Sequence, residues 1–182
     1  MKNKRRVYLM DTLDDSGRDR ERKRTIVWDD PQINKRDAVS AISGLDYLRS
    51  IRDGKISPPP AAKLIGYQLK DVDYGFAAFE LHPGEHHYNP FATVHGGILS
   101  TLLDTAMTAA VLTTLPQNIT CSTVEIKVNF IKPVTAESKL VRCEAKIIHS
   151  GRKLATVEGR IKGGNDELYA HGVSTCLIFK VN

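Results

Sequence analysis

From about Gly96 to the residue before Pro116, apolar side chains recur at helical spacing. Placed at 100° steps, Ile98, Leu99, Leu102, Leu103, Ala106, Met107, Ala109 and Ala110 gather on a broad apolar side. Gly97, Ser100, Thr101, Asp104, Thr105 and Thr108 share the other side, and Asp104 is the only charge on the helix. Elsewhere the period is two. Val124, Ile126, Val128 and Phe130 alternate with Thr123, Glu125, Lys127 and Asn129 before Pro133, the pattern of a half-buried strand. Val141, Cys143, Ala145 and Ile147 repeat it, a turn at His149–Lys153 leads into a strand through Ala155, Val157 and Ile161, and Gly163–Asp166 turns into a last strand, Leu168 to Lys180. Upstream, Asp73-Tyr74-Gly75 predicts the turn of a hairpin. One helix among about six antiparallel strands is an α+β layout.

The polar side of the predicted helix carries the first chemical signal. A solvated helix face normally holds Lys, Glu and Arg, whereas this one holds small Ser, Thr and Gly around one carboxylate, as where another surface packs close. A carboxylate there needs hydrogen bonds or takes a raised pKa, which is how a general base is tuned. The paired glycines at the helix start are the second signal: the Gly96 N–H, at the positive end of the helix dipole, is suited to polarise a carbonyl and hold the oxyanion formed on attack. Asp104 lies about 12 Å further along the axis at 1.5 Å per residue. A site shared between two subunits is the simplest way to bring both groups to one carbon.

Asn89, His95-Gly96-Gly97 and Asp104 are spaced N-(x)5-H-G-G-(x)6-D, and STVEIKVNFIKPV and the ending AHGVSTCLIF follow in order. From about Pro58 to Phe179 the chain resembles the hotdog-fold acyl-CoA thioesterases of the phenylacetic-acid-degradation type. That resemblance implies an antiparallel sheet of about five to six strands wrapped around one central helix, and subunits pairing edge to edge as a homodimer or a homotetramer built from two dimers. It also implies hydrolysis of an acyl-CoA thioester to free acid and CoA, with Asp104 activating water or attacking directly, Asn89 holding water or substrate, and Thr123 orienting the nucleophilic water. His95, just before the helix, is expected to fix the loop or sit near the sulfur. Coenzyme A enters as part of the substrate, and no other cofactor is expected. Its phosphates need exposed amides and cations, for which Gly151, Arg152 and Lys153 are the candidates; Gly97 and Phe91 are assigned to substrate binding, with Phe91, Met107 and Leu103 shaping the acyl pocket. The rival reading is a non-catalytic acyl-CoA sensor, which would have no need of a carboxylate at position 104. A hotdog dehydratase would pair Asp and His differently.

Charge and composition bound the rest. At 182 residues the chain suits one domain with an extension. Residues 1–40 hold eleven of the 26 Lys or Arg and eight of the 21 Asp or Glu, so most of the formal +5 sits there. Residues 1–37 read as a charged, flexible leader, without the interleaved aromatics or helix-turn-helix pattern that would point to nucleic acid. Residues 38–60 read as a short amphipathic helix, Ala38 to Ile51, with Val39, Ile42, Leu45 and Leu48 facing the body, followed by a stiff Pro58-Pro59-Pro60 linker; residues 61–182 form the hotdog domain. No secretion signal or bilayer-spanning run is present, so a cytoplasmic protein without a membrane partner is expected. Cys121, Cys143 and Cys176 form no CxxC and are expected as buried thiols. His82, His86, His87 and His95 crowd one loop without the register of a ligand set, so no metal is expected. Neither a G-x-S-x-G elbow nor a phosphate or dinucleotide loop is present.

Overall fold

A computed structural model describes residues 22–31 and 41–181. Among them one antiparallel sheet runs in the order β1-β2-β4-β5-β6-β3, formed by β1 (Gln68–Asp73), β2 (Phe76–Leu81), β3 (Ile119–Phe130), β4 (Val141–Ser150), β5 (Leu154–Lys162) and β6 (Leu168–Lys180). Among the described residues three α-helices of six residues or more accompany it: α1 (Gly44–Arg52), α2 (Pro60–Ile65) and α3 (Gly96–Leu112). This is the α+β hotdog layout, with the sheet wrapped around the predicted central helix.

The apolar side of α3 drives that arrangement. Leu102, Leu103, Ala106, Met107, Ala110 and Val111 are fully buried, and α3 packs on β2, β3, β4, β5 and β6. Each large side chain so buried contributes roughly 1.5–3 kcal/mol. The sheet yields space where the helix comes nearest: a Cβ on Gly159 would lie 3.0 Å from Leu103 Cδ2 and 3.1 Å from Met107 Cγ. Beneath the helix, Val141, Cys143 and Ala145 of β4 and Ala155, Val157 and Ile161 of β5 supply the inward rows that their alternation predicts.

β3 departs from simple alternation. Its pairing with β6 slips between Thr123 and Glu125, and the extra residue turns Val124 outward to 58% exposure. Thr123 and Ile126 therefore both face inward, whereas strict period-2 spacing would put one of them out. Phe130, expected on the inner row, is 54% exposed at the far end of the strand.

Upstream, the predicted amphipathic helix is described as α1, whose cap Ser43 accepts from the Asp46 N–H at 3.1 Å. Leu48 is buried and Leu45 and Ile51 pack on the core; Val39, also assigned to this face, lies outside the described residues. Gly44 donates to the Leu115 carbonyl at 3.0 Å, so close that a Cβ there would sit 2.0 Å from the Leu112 oxygen. The C-terminal end of α3 is thus the seat of α1. Of the charged leader, residues 22–31 run extended along the body: Arg22 pairs with Glu85 at 2.7 Å, Arg24 donates to the Leu64 carbonyl at 3.0 Å, and Ser57 donates to Asp29. No described helix is long and apolar enough to cross a membrane.

Candidate active site

The loop before α3 is built by Asn89. Its Oδ1 accepts from the Phe91 and Thr93 N–H groups at 2.9 and 3.3 Å, and its Nδ2 donates to Thr93 Oγ1 at 3.0 Å. The loop closes with Ala92 at a φ of 57°, a left-handed conformation stabilised by these local bonds. Asn89, assigned to water or substrate, organises this loop and also lines the cavity beside Gly96. Phe91 stands at 86% exposure and lines no cavity with Asp104.

His95 caps the helix. Its Nδ1 accepts from the Gly97 N–H at 2.9 Å, and its own N–H donates to the His87 carbonyl at 2.8 Å. A Cβ on Gly97 would lie 3.0 Å from that ring nitrogen, so the second glycine is what lets the imidazole fold back. The Gly97 amide is thereby committed to the cap and not to a substrate. The Gly96 N–H has no acceptor among the described residues; it borders a cavity of about 320 Å³ shared with Asn89, Leu99 and Phe130. A helix-terminal donor left open is the element an oxyanion needs.

Asp104 is held from β3. Thr123 Oγ1 donates to Asp104 Oδ1 at 2.7 Å. Since a hydroxyl carries one hydrogen, the 3.0 Å contact between Thr108 and Thr123 has Thr108 as donor. The relay Thr108→Thr123→Asp104 orients the carboxylate and leaves its second oxygen without a partner among the described residues. The β3 slip beside Thr123 is what aims that hydroxyl inward. Cys121 lies in the same layer, its thiol donating to the Thr108 carbonyl at 3.8 Å, and neighbouring Cys176 and burial push that thiol up.

Asp104 closes one end of a second cavity, also about 320 Å³, lined by Tyr47, Leu48 and Ile51 of α1, by Tyr67, and by Phe79 of β2. Tyr67 stands edge-on to Phe79 with ring centroids 5.8 Å apart, and its hydroxyl accepts from Thr105 at 3.4 Å. Burial pushes the Tyr67 phenol up, and the Asp104 charge adds to that shift. Leu103 and Met107, assigned to the acyl pocket, face the sheet and line neither cavity. The residues of α1 and Tyr67 carry no motif, and only their folding against α3 reveals them. Thr108 was legible as a member of the polar helix side, without its partner.

The remaining candidates lie apart. Gly151, Arg152 and Lys153 form the β4–β5 turn, with the Gly151 N–H donating to the Leu154 carbonyl at 2.8 Å and the Lys153 carbonyl accepting from Ile178 at 2.8 Å. Both cationic side chains are exposed and have no ion-pair partner among the described residues. Of the loop histidines, His87 is buried with Nδ1 accepting from Gly84 at 3.1 Å and Nε2 donating to the Ile65 carbonyl at 2.8 Å. Among the described residues no group of three or more His, Cys, Asp or Glu is placed to hold a metal.

A helix wrapped by an antiparallel sheet defines the hotdog fold. The model of the thioesterase superfamily matches residues 91–170. A conserved protein from Pseudomonas aeruginosa is 30% identical, with 70% of this chain covering 98% of that one at a TM-score of 0.63. A phenylacetic acid degradation-related protein from Ralstonia eutropha is 27% identical, with coverages of 72% and 98% and a TM-score of 0.66. A Streptococcus mutans protein solved with acetyl CoA bound shares the fold at 16% identity, covering 63% of this chain and 89% of that one with a TM-score of 0.58. The chain belongs to the thioesterase superfamily and is a thioester hydrolase.

Proposed function

We propose that this protein hydrolyses acyl-CoA thioesters at two equivalent sites shared across a homodimer. The observation that carries the reading is the division of labour along α3: an open Gly96 N–H at one cavity and an oriented Asp104 with a free oxygen at another, about 12 Å apart along one helix. Within one protomer these groups do not converge on one carbonyl. An antiparallel partner placed along the free edge of β3 would bring Gly96 of one subunit towards Asp104 of the other, and the outward Val124, Phe130 and Ile131 supply apolar surface at that edge.

In this site the Gly96 N–H donates to the thioester carbonyl. Asp104 takes a proton from water as the water oxygen bonds to the carbonyl carbon; collapse of the tetrahedral intermediate breaks the C–S bond, the CoA thiolate leaves and is protonated, and the free acid remains. In the direct route the Asp104 oxygen attacks first, giving a mixed anhydride that water then opens. Arg152 and Lys153, on an exposed turn without competing ion pairs, are suited to the phosphates of CoA. The acetyl CoA held by the Streptococcus mutans protein is consistent with this substrate type for the fold.

The test is thiol release from a panel of acyl-CoAs by the native protein and by Asp104→Asn. The expected result is turnover that falls at least about a hundredfold in the variant. A folded dimer that binds acyl-CoA and releases no thiol would overturn hydrolysis in favour of a sensor. Trapping of an acyl group on Asp104 by hydroxylamine would select the direct route.

A further inference from the structure

Resting on the thioesterase reading, we infer that the cavity between α1 and α3 receives the acyl group and that Tyr47 and Ile51 of α1 form its stop, restricting the enzyme to compact acyl chains. The polar side chains that α3 gives to the cavity are Asp104, Thr105 and Thr108, and its walls are otherwise dominated by aromatic, aliphatic and proline side chains. An acyl group whose carbonyl lies at Asp104 has this apolar space directly behind it. Leu48, Tyr67 and Phe79 are well buried and fix the floor, whereas Tyr47 and Ile51 are only half-buried and stand on the outer side.

The stop is braced from outside. Pro58 and Pro59, which cannot shift their φ, line the same cavity and a smaller one that also contains Asp29, Asp30 and Tyr47. The extended segment 22–31 presses on this corner through the Ser57–Asp29 bond. These parts lie on the N-terminal side of the family match at residues 91–170. The Ralstonia eutropha relative, covered almost end to end, matches only 72% of this chain. The matched stretch contains Asp104, whereas α1, Pro58 and Pro59, which form the wall facing it, precede that stretch.

Volume sets the substrate class. The cavity of about 320 Å³, together with the stop at Tyr47 and Ile51, favours an aryl or medium-length acyl group over a palmitoyl chain.

The experiment measures kcat/KM across straight-chain acyl-CoAs from acetyl to palmitoyl for the native protein, Ile51→Ala, Ile51→Trp and Leu45→Ala. The last is a control on α1 that packs on the core without lining the cavity. In parallel, calorimetry with non-hydrolysable acyl-CoA thioethers reads the pocket without turnover. The expected result is opposite displacement of the preferred length, longer in Ile51→Ala and shorter in Ile51→Trp, with the ratio between neighbouring lengths changing about tenfold and the control unmoved. General destabilisation cannot move the two variants in opposite directions. Hydrolysis by the native protein with the same length profile in all variants would overturn the pocket and leave the thioesterase reading standing. A thioether profile that moves as expected, without turnover on any thioester, would uphold the pocket and remove hydrolysis.

Discussion

At the scale of single residues, position 96 offers a clean separation of amide from helix. Proline is compatible with the first helical position and has no N–H, and His95, with φ −59° and ψ 132°, already has the conformation a following proline demands. A Cβ at position 96 would meet the Phe130 ring at 3.0 Å, a side chain exposed enough to move aside. Gly96→Pro is therefore expected to fold, with helicity unchanged by circular dichroism, while kcat falls about 10²–10³-fold, the usual cost of removing an oxyanion donor. A second residue-scale prediction concerns His87. Burial lowers its pKa against the smaller opposing effect of the Ile65 carbonyl, and Nδ1 already accepts the Gly84 N–H, so protonation sets donor against donor. A folded pKa below the unfolded value of about 6.5 means full stability above that pH and progressive loss as pH falls from 6.5 toward the folded value. The melting temperature of the native protein is expected to drop over that range, and His87→Gln to show a flatter dependence.

At the scale of elements, α1 is the part whose placement makes the Asp104 cavity. Its docking depends on Gly44, where any Cβ would overlap the Leu112 carbonyl at 2.0 Å. Gly44→Ala cannot keep this contact, so α1 must lift from the end of α3 while the sheet and α3 keep their mutual packing. Amide exchange should show loss of protection confined to residues 44–52, with α3 and β4–β6 still protected. A uniform loss instead would mean that α1 is integral to the core. The hairpins and the long strands were legible because turn residues and period-2 alternation are local. The inward aim of Thr123 was not, because it depends on a pairing slip with β6 that period-2 spacing in β3 does not reveal.

At the scale of the whole molecule, a shared site makes a prediction that no single-chain site can. Separately inactive Asp104→Asn and Gly96→Pro proteins, mixed and allowed to exchange subunits, should regain about a quarter of native activity, since half of the dimers are mixed and each mixed dimer holds one intact site. Light scattering of the native protein should report a dimer or a multiple of it. No recovery despite demonstrated exchange would place both groups in one protomer's site.

The sequence alone determined the central helix, the strand series and the spacing that marks Asn89, His95, Gly96 and Asp104, because periodicity and turn chemistry are written in neighbouring residues. It also marked which side of α3 is polar, since small side chains around one carboxylate stand out from any solvated face. Tertiary structure decided what those residues do for one another: that Asn89 builds the loop and His95 Nδ1 the helix cap, that Gly97 serves the cap and Gly96 stays open, and that Leu103 and Met107 belong to the core. It alone joined Tyr47, Ile51 and Tyr67 to Asp104, because a cavity is formed by surfaces distant in the chain, and no local pattern records how far apart they come to rest.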